Sequence, residues 1–547
     1  MQNALNTFRI KNLLPLFLSI CFTACTNTLP ITVKPGTTVS KPPKTQPVKP
    51  PEKTNPVSPN TVEIPPKSEG NQLLLQINSQ QSFAINLDVL GFNTGFMFTT
   101  PMDEQPEVKN ITKTLAPKVL RFSGGTISSY YHPDGLGYGF KEAETYGKMD
   151  DLIKTQALFK QNAMVHFADL CKISNSKVIY VANLLTGTTD EMVKVLEYFK
   201  SRDVAVVGVE LGNEYFFKAY AEKFPTVQTY IEKCMPYVKI LRSKYPQLKI
   251  GAIAAMVVDN KANGEFAKFM RTWDQVLGKE TFYDAYTVHL YPKGEICENN
   301  AGEDIQKIFS CTDLTLGVYM HNYHKITNDY YKQFYGNKKY WITEWNIDKP
   351  DKLSNTFAHA AFAAEYLMGM IDHNISEGNP IEYATFHNFG SAGYAYPLFS
   401  YATQSVPPIN NDKTIAQNAT YFPFLLMSQI LQTGAERIKE KAVYPQGISN
   451  QFLNVQCYIS KDKKKLFVFF ENKSGKSMPL NLSETQWKAV NYQALEANHQ
   501  WSVAGMNGFY KKQPQMVDRM KFVQKALTGS STTIPTYGVG YIEFQLK

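Results

Sequence analysis

The sequence predicts an α/β protein in which a closed barrel of eight parallel strands, a (β/α)8 TIM barrel, carries an additional antiparallel β-sandwich domain. From Asn86 onward, eight short apolar segments alternate with helical patterns, which is the order and size of such a barrel. No glycine-rich phosphate fingerprint follows the first segment, which disfavours the alternative of a doubly wound open sheet. After Asn418 the pattern changes to alternating strands, which predicts the sandwich.

Each barrel strand is predicted from a short apolar, β-rich run. In order, the runs are "VLGFNTG", "KVLRFSG", "KVIYVANLL", "VAVVGVELGNE", "LKIGAIAA", "AYTVHLYP", "KYWITEWN" and "IEYATFHNFG". Segments such as "TDEMVKVLEYFKSR" and "NTFAHAAFAAEYLMGMIDH" supply the helices between them. A helix, "FPFLLMSQILQTG", and the strands "FLNVQCYIS", "KKLFVFFENK" and "TYGVGYIEFQL" follow. We therefore expect a barrel over residues 86–417 and a sandwich built from residues 71–85 together with 418–547.

The first 25 residues have the pattern of an export signal. Arg9 and Lys11 precede the apolar run "LLPLFLSICFTA", which is too short to span a membrane as a stable helix. "CFTAC" resembles a bacterial lipobox, in which Cys25 becomes the lipidated first residue; a plain secretory signal is the alternative. No Asp follows Cys25, so we expect an outer-membrane lipoprotein of the cell envelope, held by an N-terminal lipid anchor.

Residues 26–70 are rich in Pro, Thr and Lys, as in "KPPKTQPVKPPEK". This composition predicts an extended tether with a reach on the order of 100 Å. Six of the lysines that contribute to the formal charge of +9 lie in this tether. The rest of the chain has no Lys/Arg stripe of the kind that binds nucleic acid, so we expect no nucleic-acid partner. The oligomeric state stays open.

The cysteines indicate a disulfide rather than a metal site. Cys297 and Cys311 are close enough in sequence to form a bridge in an oxidising compartment. Three others are predicted to be buried single thiols: Cys171, Cys234 and Cys457. No Cys/His cluster has zinc spacing. We expect neither a metal nor a cofactor.

Two predicted strands end on a glutamate, the fourth at Glu214 in "VGVELGNE" and the seventh at Glu344 in "KYWITE". Active sites of such barrels lie at the C-terminal ends of the strands, and we expect strands four and seven to face each other across the mouth. Two carboxylates about 5 to 5.5 Å apart are what retaining glycoside hydrolysis needs. A pair of salt-bridged surface carboxylates is the alternative.

Strand alternation predicts which side chains reach the barrel mouth. Along "YWITE" it places Ile342 and Glu344 on the inward face. In "GVELGNE" it separates Asn213 from Glu214, so both can reach a sugar only if the strand bulges or ends there. Gly212 would permit that.

Other strand ends offer polar side chains to the same rim. Tyr291 in "TVHLYP" could hydrogen-bond a nucleophilic carboxylate and hold it ionised. A lone His or Arg at a strand end is more often a satisfied ion pair, but the convergence of several favours binding. The predicted substrate-binding residues are Asn213, Arg121, Asn183, His289, Tyr291, His387 and Trp345. The aromatic residues predicted to stack on sugars are Tyr130, Tyr131, Tyr138, Phe216 and Phe217.

These motifs resemble clan A of the retaining glycoside hydrolases. "VLRFSGGTISSYYHPDG", "VANLLTGTTDEMVKVLEYF", "VELGNE" and "ITEWN" are most similar to α-L-arabinofuranosidases of family fifty-one. The resemblance implies that Glu214 is the acid/base and Glu344 the nucleophile. It also implies that Asn213 contacts the hydroxyl next to the anomeric carbon, that Tyr291 orients the nucleophile and that Arg121 braces the site floor.

The sequence departs from that family at two positions. Ser123 stands where Pro is usual, and Thr343 stands where an acidic residue is usual. These departures leave the mechanism intact and the substrate open, because β-xylosidases and β-glucuronidases of neighbouring families share the two glutamates. We therefore expect a retaining glycosidase that acts on poly- or oligosaccharides. The rival hypothesis is a non-catalytic glycan-binding surface lipoprotein.

Overall fold

The computed structural model describes residues 70–99, 102–139, 153, 156–256, 263–292, 329–347, 353–391, 396–401, 415–504, 518–528 and 532–547. The predicted leader, tether and lipidation site Cys25 lie outside these ranges, as does the predicted pair Cys297 and Cys311. Among the described residues, no helix combines the length and the apolar character needed to cross a membrane. The three cysteines predicted as buried thiols are buried and free: Cys171, Cys234 and Cys457.

The secondary structure alternates strands and helices in its first part and is mostly strand in its second. The helices are α1 (Pro106–Leu115), α2 (Ala163–Ser174), α3 (Thr189–Ser201), α4 (Val227–Lys244), α5 (Glu265–Leu277), α6 (Phe357–Glu377) and α7 (Tyr421–Leu431). The strands are β1 (Leu73–Gln76), β2 (Gly91–Asn93), β3 (Val119–Phe122), β4 (Lys177–Val181), β5 (Val206–Glu210), β6 (Lys249–Ile253), β7 (Ala285–Leu290), β8 (Lys339–Trp345), β9 (Ile381–His387), β10 (Gly390–Ser391), β11 (Phe399–Tyr401), β12 (Ile415–Gln417), β13 (Glu436–Ile438), β14 (Lys441–Val443), β15 (Leu453–Ile459), β16 (Lys465–Asn472), β17 (Met478–Leu482), β18 (Trp487–Ala497), β19 (Lys521–Ala526), β20 (Thr532–Ile534) and β21 (Tyr537–Leu546).

Strands β2 to β9 form the closed parallel barrel that the sequence predicts, with β9 paired back onto β2. These are barrel strands one to eight, and each lies within its predicted segment. Helices α2, α3, α4 and α6 begin at residues whose side chains cap them, while α1, α5 and α7 have no side-chain cap. Thr188 and Glu191 form a capping box at the start of α3, and the Thr226 and Thr356 hydroxyl groups cap α4 and α6. The fold class is therefore confirmed.

An apolar cluster centred on Trp341 fills the lower part of the barrel. Trp341 is fully buried and packs against Val119 and Tyr383. Two glycines on neighbouring strands make room for its ring, because an added Cβ at Gly208 or Gly251 would lie 2.4 or 2.6 Å from the indole. This apolar plug closes the barrel floor, and polar side chains occupy the space above it.

The second domain is a sandwich of a four-stranded sheet (β14-β1-β17-β20) and a six-stranded sheet (β13-β15-β16-β21-β18-β19). β1, which precedes the barrel in the chain, pairs with β14 and β17. The core between the sheets includes Leu75 and Leu480 from one sheet and Val468 and Ile542 from the other. Both ends of the chain therefore contribute to this domain.

The outer face of the six-stranded sheet packs on the barrel helices α6 and α7. Phe467 and Tyr541 belong to the same continuous hydrophobic core as these helices. Polar contacts also join the two domains, since the Gln456 amide donates to a backbone carbonyl of α6 and Lys473 forms an ion pair with Glu365. The sandwich thus supports the side of the barrel opposite β4 to β6.

Candidate active site

The two glutamates predicted from the strand ends meet at the C-terminal mouth of the barrel. One oxygen of Glu214, one of Glu344 and a ring nitrogen of His289 all lie within 4.8 Å of one another. His289 Nδ1 lies 2.7 Å from Glu214 Oε1 and 3.7 Å from Glu344 Oε2. The Glu344 side chain is 7% exposed and that of Glu214 is 17% exposed. The two carboxylates therefore share a site but differ in their access to solvent.

The end of barrel strand four brings Asn213 and Glu214 to the same site. β5 ends at Glu210, and Gly212 has a φ of +92°, a backbone conformation that favours glycine. An added Cβ at Gly212 would also lie 2.1 Å from the Tyr215 ring. The turn expected at this glycine is present, and it lets two adjacent side chains face the mouth.

Barrel strand seven departs from simple alternation. The pairing of β8 with β7 and β9 shifts register around Thr343 and Glu344, so both side chains point into the barrel. Ile342, predicted to share the inward face, instead lies in the core between strands and helices. That part of the prediction is wrong, because a bulge near the strand end reverses the alternation.

Glu344 is held by hydrogen bonds from two strands, β2 and β3, and from Tyr291, the residue after β7. Its Oε1 accepts from Arg121 Nη1 at 2.8 Å and from Asn93 Nδ2 at 2.8 Å. Its Oε2 accepts from the Tyr291 hydroxyl at 2.6 Å. The contact predicted for Tyr291 is therefore present, and both oxygens of the carboxylate have fixed donors.

The electrostatic surroundings keep Glu344 ionised. Burial alone would raise its pKa, but the His289 and His387 rings, the guanidinium and the tyrosine hydroxyl lower it to about 2. Burial alone would lower the pKa of His289, but the charges of Glu344 and Glu214 raise it. The site therefore combines an ionised carboxylate with a histidine that tends to keep its proton.

His387 has a defined tautomer. Asn93 Nδ2 lies 3.1 Å from His387 Nδ1, and Asn93 Oδ1 accepts from the Gly95 amide. Because an amide nitrogen only donates, Nδ1 of His387 accepts and the ring proton lies on Nε2. Burial lowers the pKa of His387. In this tautomer the ring presents an N–H donor from Nε2.

Arg121 lies at the floor of the site and is fully buried. Its guanidinium donates to three side chains: Nε to Glu210 Oε2 at 2.7 Å, Nη1 to Glu344 Oε1 and Nη2 to Asn213 Oδ1 at 2.8 Å. Burial alone would lower its pKa, but the carboxylates of Glu210 and Glu344 raise it. One cation thus connects strands two, four and seven.

Asn183, predicted to bind substrate, has a structural role instead. Its Nδ2 donates to the Tyr131 carbonyl and the Thr186 hydroxyl, and its Oδ1 accepts from the Leu185 and Thr186 amides. All of its amide hydrogen-bonding capacity is used within the loops after strands two and three. The prediction for Asn183 is therefore corrected: it shapes these loops.

Trp345 also lies outside the site. Its ring stacks on Tyr366 of α6 with centroids 4.8 Å apart and meets Phe386 edge-on at 4.8 Å. Because Glu344 points inward after the bulge, the next residue points outward to the helices. The aromatic residues predicted to stack on sugars are buried in the same core: Tyr130, Tyr131, Tyr138, Phe216 and Phe217.

The sequence reasoning missed residues that contact Glu344. Asn93 ends strand one, and pairing sets it opposite Arg121 on β3 and His387 on β9. An added Cβ at Gly125 would lie 2.6 Å from Glu344 Oε1, so only glycine fits there without displacing the carboxylate. The sequence signals that point to Asn93 and Gly125 are the motifs "GFNTG" and "SGG" at the ends of the first two predicted strands.

Glu214, His289 and Glu344 offer ligand atoms of the kinds that bind divalent ions. Both oxygens of Glu344 already accept hydrogen bonds, two of them from Arg121 and Tyr291. A metal ion would have to displace these donors and lie near the guanidinium charge. The arrangement suits proton transfer and nucleophilic attack better than metal binding.

Comparison with known proteins supports the fold. No family model matches the sequence, and no curated protein matches it. Among solved structures, the chain is similar to an α-L-arabinofuranosidase from Thermotoga maritima, with 16% identity, 87% of this chain and 100% of that chain covered, and a TM-score of 0.59. A family 51 α-L-arabinofuranosidase from Bifidobacterium longum shows 11% identity, the same coverage and a TM-score of 0.59. A family 44 xyloglucanase from Paenibacillus polymyxa shows 12% identity, again the same coverage, and a TM-score of 0.52.

Proposed function

We propose that the chain is a retaining glycoside hydrolase in which Glu344 is the nucleophile and Glu214 the acid/base. One observation carries the proposal: the two carboxylates lie at the C-terminal mouth, Glu214 in the turn after strand four and Glu344 near the end of strand seven, with oxygens within 4.8 Å, and Glu344 is held ionised. Retaining enzymes place the two carboxyl groups about 5 to 5.5 Å apart, and inverting enzymes place them about 6.5 to 9.5 Å apart. The described geometry supports the retaining class.

The reaction proceeds in two balanced steps. First, Glu344 attacks the anomeric carbon while Glu214 gives a proton to the glycosidic oxygen, which leaves as an alcohol and a glycosyl ester remains on Glu344. Second, water attacks the same carbon, Glu214 takes a proton from it and the ester bond breaks. Both carboxyl groups return to their starting states.

The neighbouring side chains have matching roles in this proposal. Arg121, Asn93 and Tyr291 fix the direction of the Glu344 oxygens, which is the positioning that lowers the barrier to attack. The Asn213 oxygen accepts from Arg121, and Asn213 Nδ2 donates one long bond of 3.5 Å to Glu214 Oε2. The second N–H of this amide can donate to the sugar hydroxyl next to the anomeric carbon. His387 offers an N–H donor to another substrate oxygen.

An α-L-arabinofuranosyl residue is the first candidate for the sugar. The motif resemblance and the fold likeness to the Thermotoga maritima and Bifidobacterium longum arabinofuranosidases support it. A β-glycosidase of the same clan is the second candidate, and the fold likeness to the Paenibacillus polymyxa xyloglucanase supports it. Poly- or oligosaccharides are the natural substrates in either case.

Hydrolysis of a glycoside panel tests the proposal. The panel holds 4-nitrophenyl α-L-arabinofuranoside, β-D-xyloside and β-D-glucuronide, with arabinan, xylan and xyloglucan. We expect Glu214→Ala to lower turnover of the active glycoside about 10²- to 10⁴-fold and azide to restore it, because azide attacks the glycosyl ester without a base. Glu265→Ala, an exposed carboxylate at the start of α5, is the control and should keep full activity.

Three outcomes would contradict the proposal. Full activity in Glu214→Ala would remove its assigned role. Binding of a panel polysaccharide without hydrolysis of any panel member would favour the rival, a glycan-binding surface protein. Product analysis by NMR gives the anomeric configuration, and inversion would exclude the retaining mechanism.

We also propose that Cys25 is lipidated and anchors the protein in the outer membrane. The lipobox-like "CFTAC" after an apolar run supports this. Labelled palmitate should enter the wild-type chain and not Cys25→Ser, and the label should fractionate with outer membranes. Equal labelling of both chains would exclude this anchor.

A further inference from the structure

Glu210 is a third buried carboxylate in the barrel, beneath the two at the mouth. It ends β5, four residues before Glu214, and is 1% exposed. Its Oε2 accepts from Arg121 Nε at 2.7 Å and its Oε1 from the Thr343 hydroxyl at 2.8 Å. A carboxylate buried this deeply is destabilising unless it is paired and hydrogen-bonded, and both of its oxygens are engaged.

The bond to Glu210 fixes the plane of the Arg121 guanidinium. A guanidinium presents its N–H groups as a rigid fork, so holding Nε–H determines where the other two nitrogens point. In this orientation Nη1 reaches Glu344 and Nη2 reaches Asn213, each at 2.8 Å. Glu210 therefore influences both Glu344 and Asn213 through the Arg121 guanidinium, although its own side chain lies below the mouth of the barrel.

Glu210 also competes with Glu344 for the positive charge of Arg121. The guanidinium lies between the carboxylates of Glu210 and Glu344, so neither carboxylate neutralises it alone. Without the Glu210 charge, Arg121 would pair with Glu344 only. A carboxylate that is more strongly paired is a weaker nucleophile, because the ion pair stabilises the ground state and must loosen as the charge is lost in the attack.

We propose that Glu210 is a positioning residue for the reaction: it sets the orientation of Arg121 and shares its charge, which keeps Glu344 directed at the anomeric carbon and reactive. This inference rests on the proposed function. The alternative is an ion pair that only stabilises the barrel. The two differ in the kinetics of the folded variant, since a stabilising pair leaves turnover per folded molecule unchanged.

Glu210→Gln tests the charge. A glutamine oxygen still accepts from Arg121 Nε, and its NH₂ still meets the Thr343 oxygen, so only the charge is removed. The matched control is Glu382→Gln, since Glu382 pairs with Lys249 and accepts from Trp341 Nε1 at the opposite end of the barrel. The first probes are 4-nitrophenyl and 2,4-dinitrophenyl α-L-arabinofuranoside, or the same pair of aryl glycosides for whichever sugar of the panel is cleaved.

We expect Glu210→Gln to lower kcat/KM about 10²-fold on both aryl glycosides. The 2,4-dinitrophenolate group leaves without needing a proton. An equal decrease in kcat/KM on both substrates therefore shows that the substitution impairs nucleophilic attack and not proton donation. Glu382→Gln should stay within about 3-fold of wild type even if it melts earlier. A Glu210→Gln enzyme within 3-fold of wild type would overturn the proposal, whatever its melting temperature.

A crystal structure of Glu210→Ala gives a readout that needs no activity. We expect the guanidinium of Arg121 to rotate and lose its bond to Glu344 or to Asn213, and retention of both bonds would overturn the positioning role. If neither Glu210 variant folds, Thr343→Val replaces them, because it removes the hydrogen bond that holds the Glu210 carboxylate in place. An unchanged kcat/KM in Thr343→Val would refute the proposal. A wild-type enzyme that cleaves no panel member would refute the proposed function, while the crystal structure would still decide the orientation of Arg121.

Discussion

Replacing Glu344 by Gln is expected to lower stability as well as abolish turnover. In the wild-type protein, burial would raise the pKa of Glu344, but nearby positive and hydrogen-bonding groups lower it from 4.5 to about 2. A shift of this size corresponds to about 3 kcal/mol of stability at neutral pH, since one pKa unit is worth about 1.4 kcal/mol. The uncharged amide cannot supply this stabilisation to Arg121.

The sign of the effect fixes its pH dependence. Because the folded-state pKa of Glu344 lies below the unfolded value, its stabilisation is fully present above pH 4.5 and is lost as the pH falls towards 2. Wild type and Glu344→Gln should therefore differ by about 3 kcal/mol in free energy of unfolding at pH 7. The difference should shrink as the pH is lowered through this window.

Urea denaturation followed by tryptophan fluorescence measures this difference at pH 7 and at pH 3, inside the window. The control is Glu377→Gln, an exposed carboxylate at the end of α6, which should change stability by less than about 0.5 kcal/mol. A Glu344→Gln protein as stable as wild type at pH 7 would refute the electrostatic account of the site. Residual turnover in that variant would refute its role as nucleophile.

Two further predictions concern single hydrogen bonds and charges. Tyr291→Phe removes the 2.6 Å hydrogen bond to Glu344, and this loss raises the pKa of that carboxylate. The acidic limb of the plot of kcat/KM against pH should therefore move to higher pH by about one unit. An unchanged acidic limb would contradict the role of this hydrogen bond. Burial raises the pKa of Glu471 to about 7 although Lys473 opposes the shift, and Lys473 also pairs with Glu365. Ionisation of Glu471 therefore lowers stability as the pH rises from 4.5 to 7. In urea denaturation, the free energy of unfolding of Glu471→Gln should exceed that of wild type by up to about 3 kcal/mol at pH 8 and should equal it at pH 4. Equal free energies of unfolding at pH 8 would contradict this account of Glu471.

The barrel could be predicted because its strands carry a strong local signal. Each is a short, largely buried apolar run, and most end in or just before polar or glycine residues, so Glu214 and Glu344 stood out as carboxylates at strand ends. The sandwich was harder to predict. β17 alternates in burial but contains Pro479, a residue that disfavours a strand, and β19 (Lys521–Ala526) is largely exposed and lacks the alternation that identifies a half-buried strand.

The errors within the site share one physical cause. Alternation gives the side-chain direction only while pairing is regular, and the register shift near Thr343 lies at the end of β8, where the chemistry is. Ile342 and Trp345 were misplaced for this reason. Asn183 was misplaced because a short polar side chain after a strand serves equally to shape a turn or to bind a ligand, and only its hydrogen bonds distinguish the two.

If the proposed reaction is correct, we expect His289 to couple nucleophilic attack to proton delivery. Its Nδ1 lies 2.7 Å from Glu214 Oε1, so one proton lies between the two groups. Burial lowers the pKa of His289, and the charge of Glu344 is the largest influence that raises it. As Glu344 loses its charge to the anomeric carbon, His289 loses that stabilisation and holds its proton less strongly. The proton then moves towards Glu214 and the leaving oxygen at the moment when the glycosidic bond breaks.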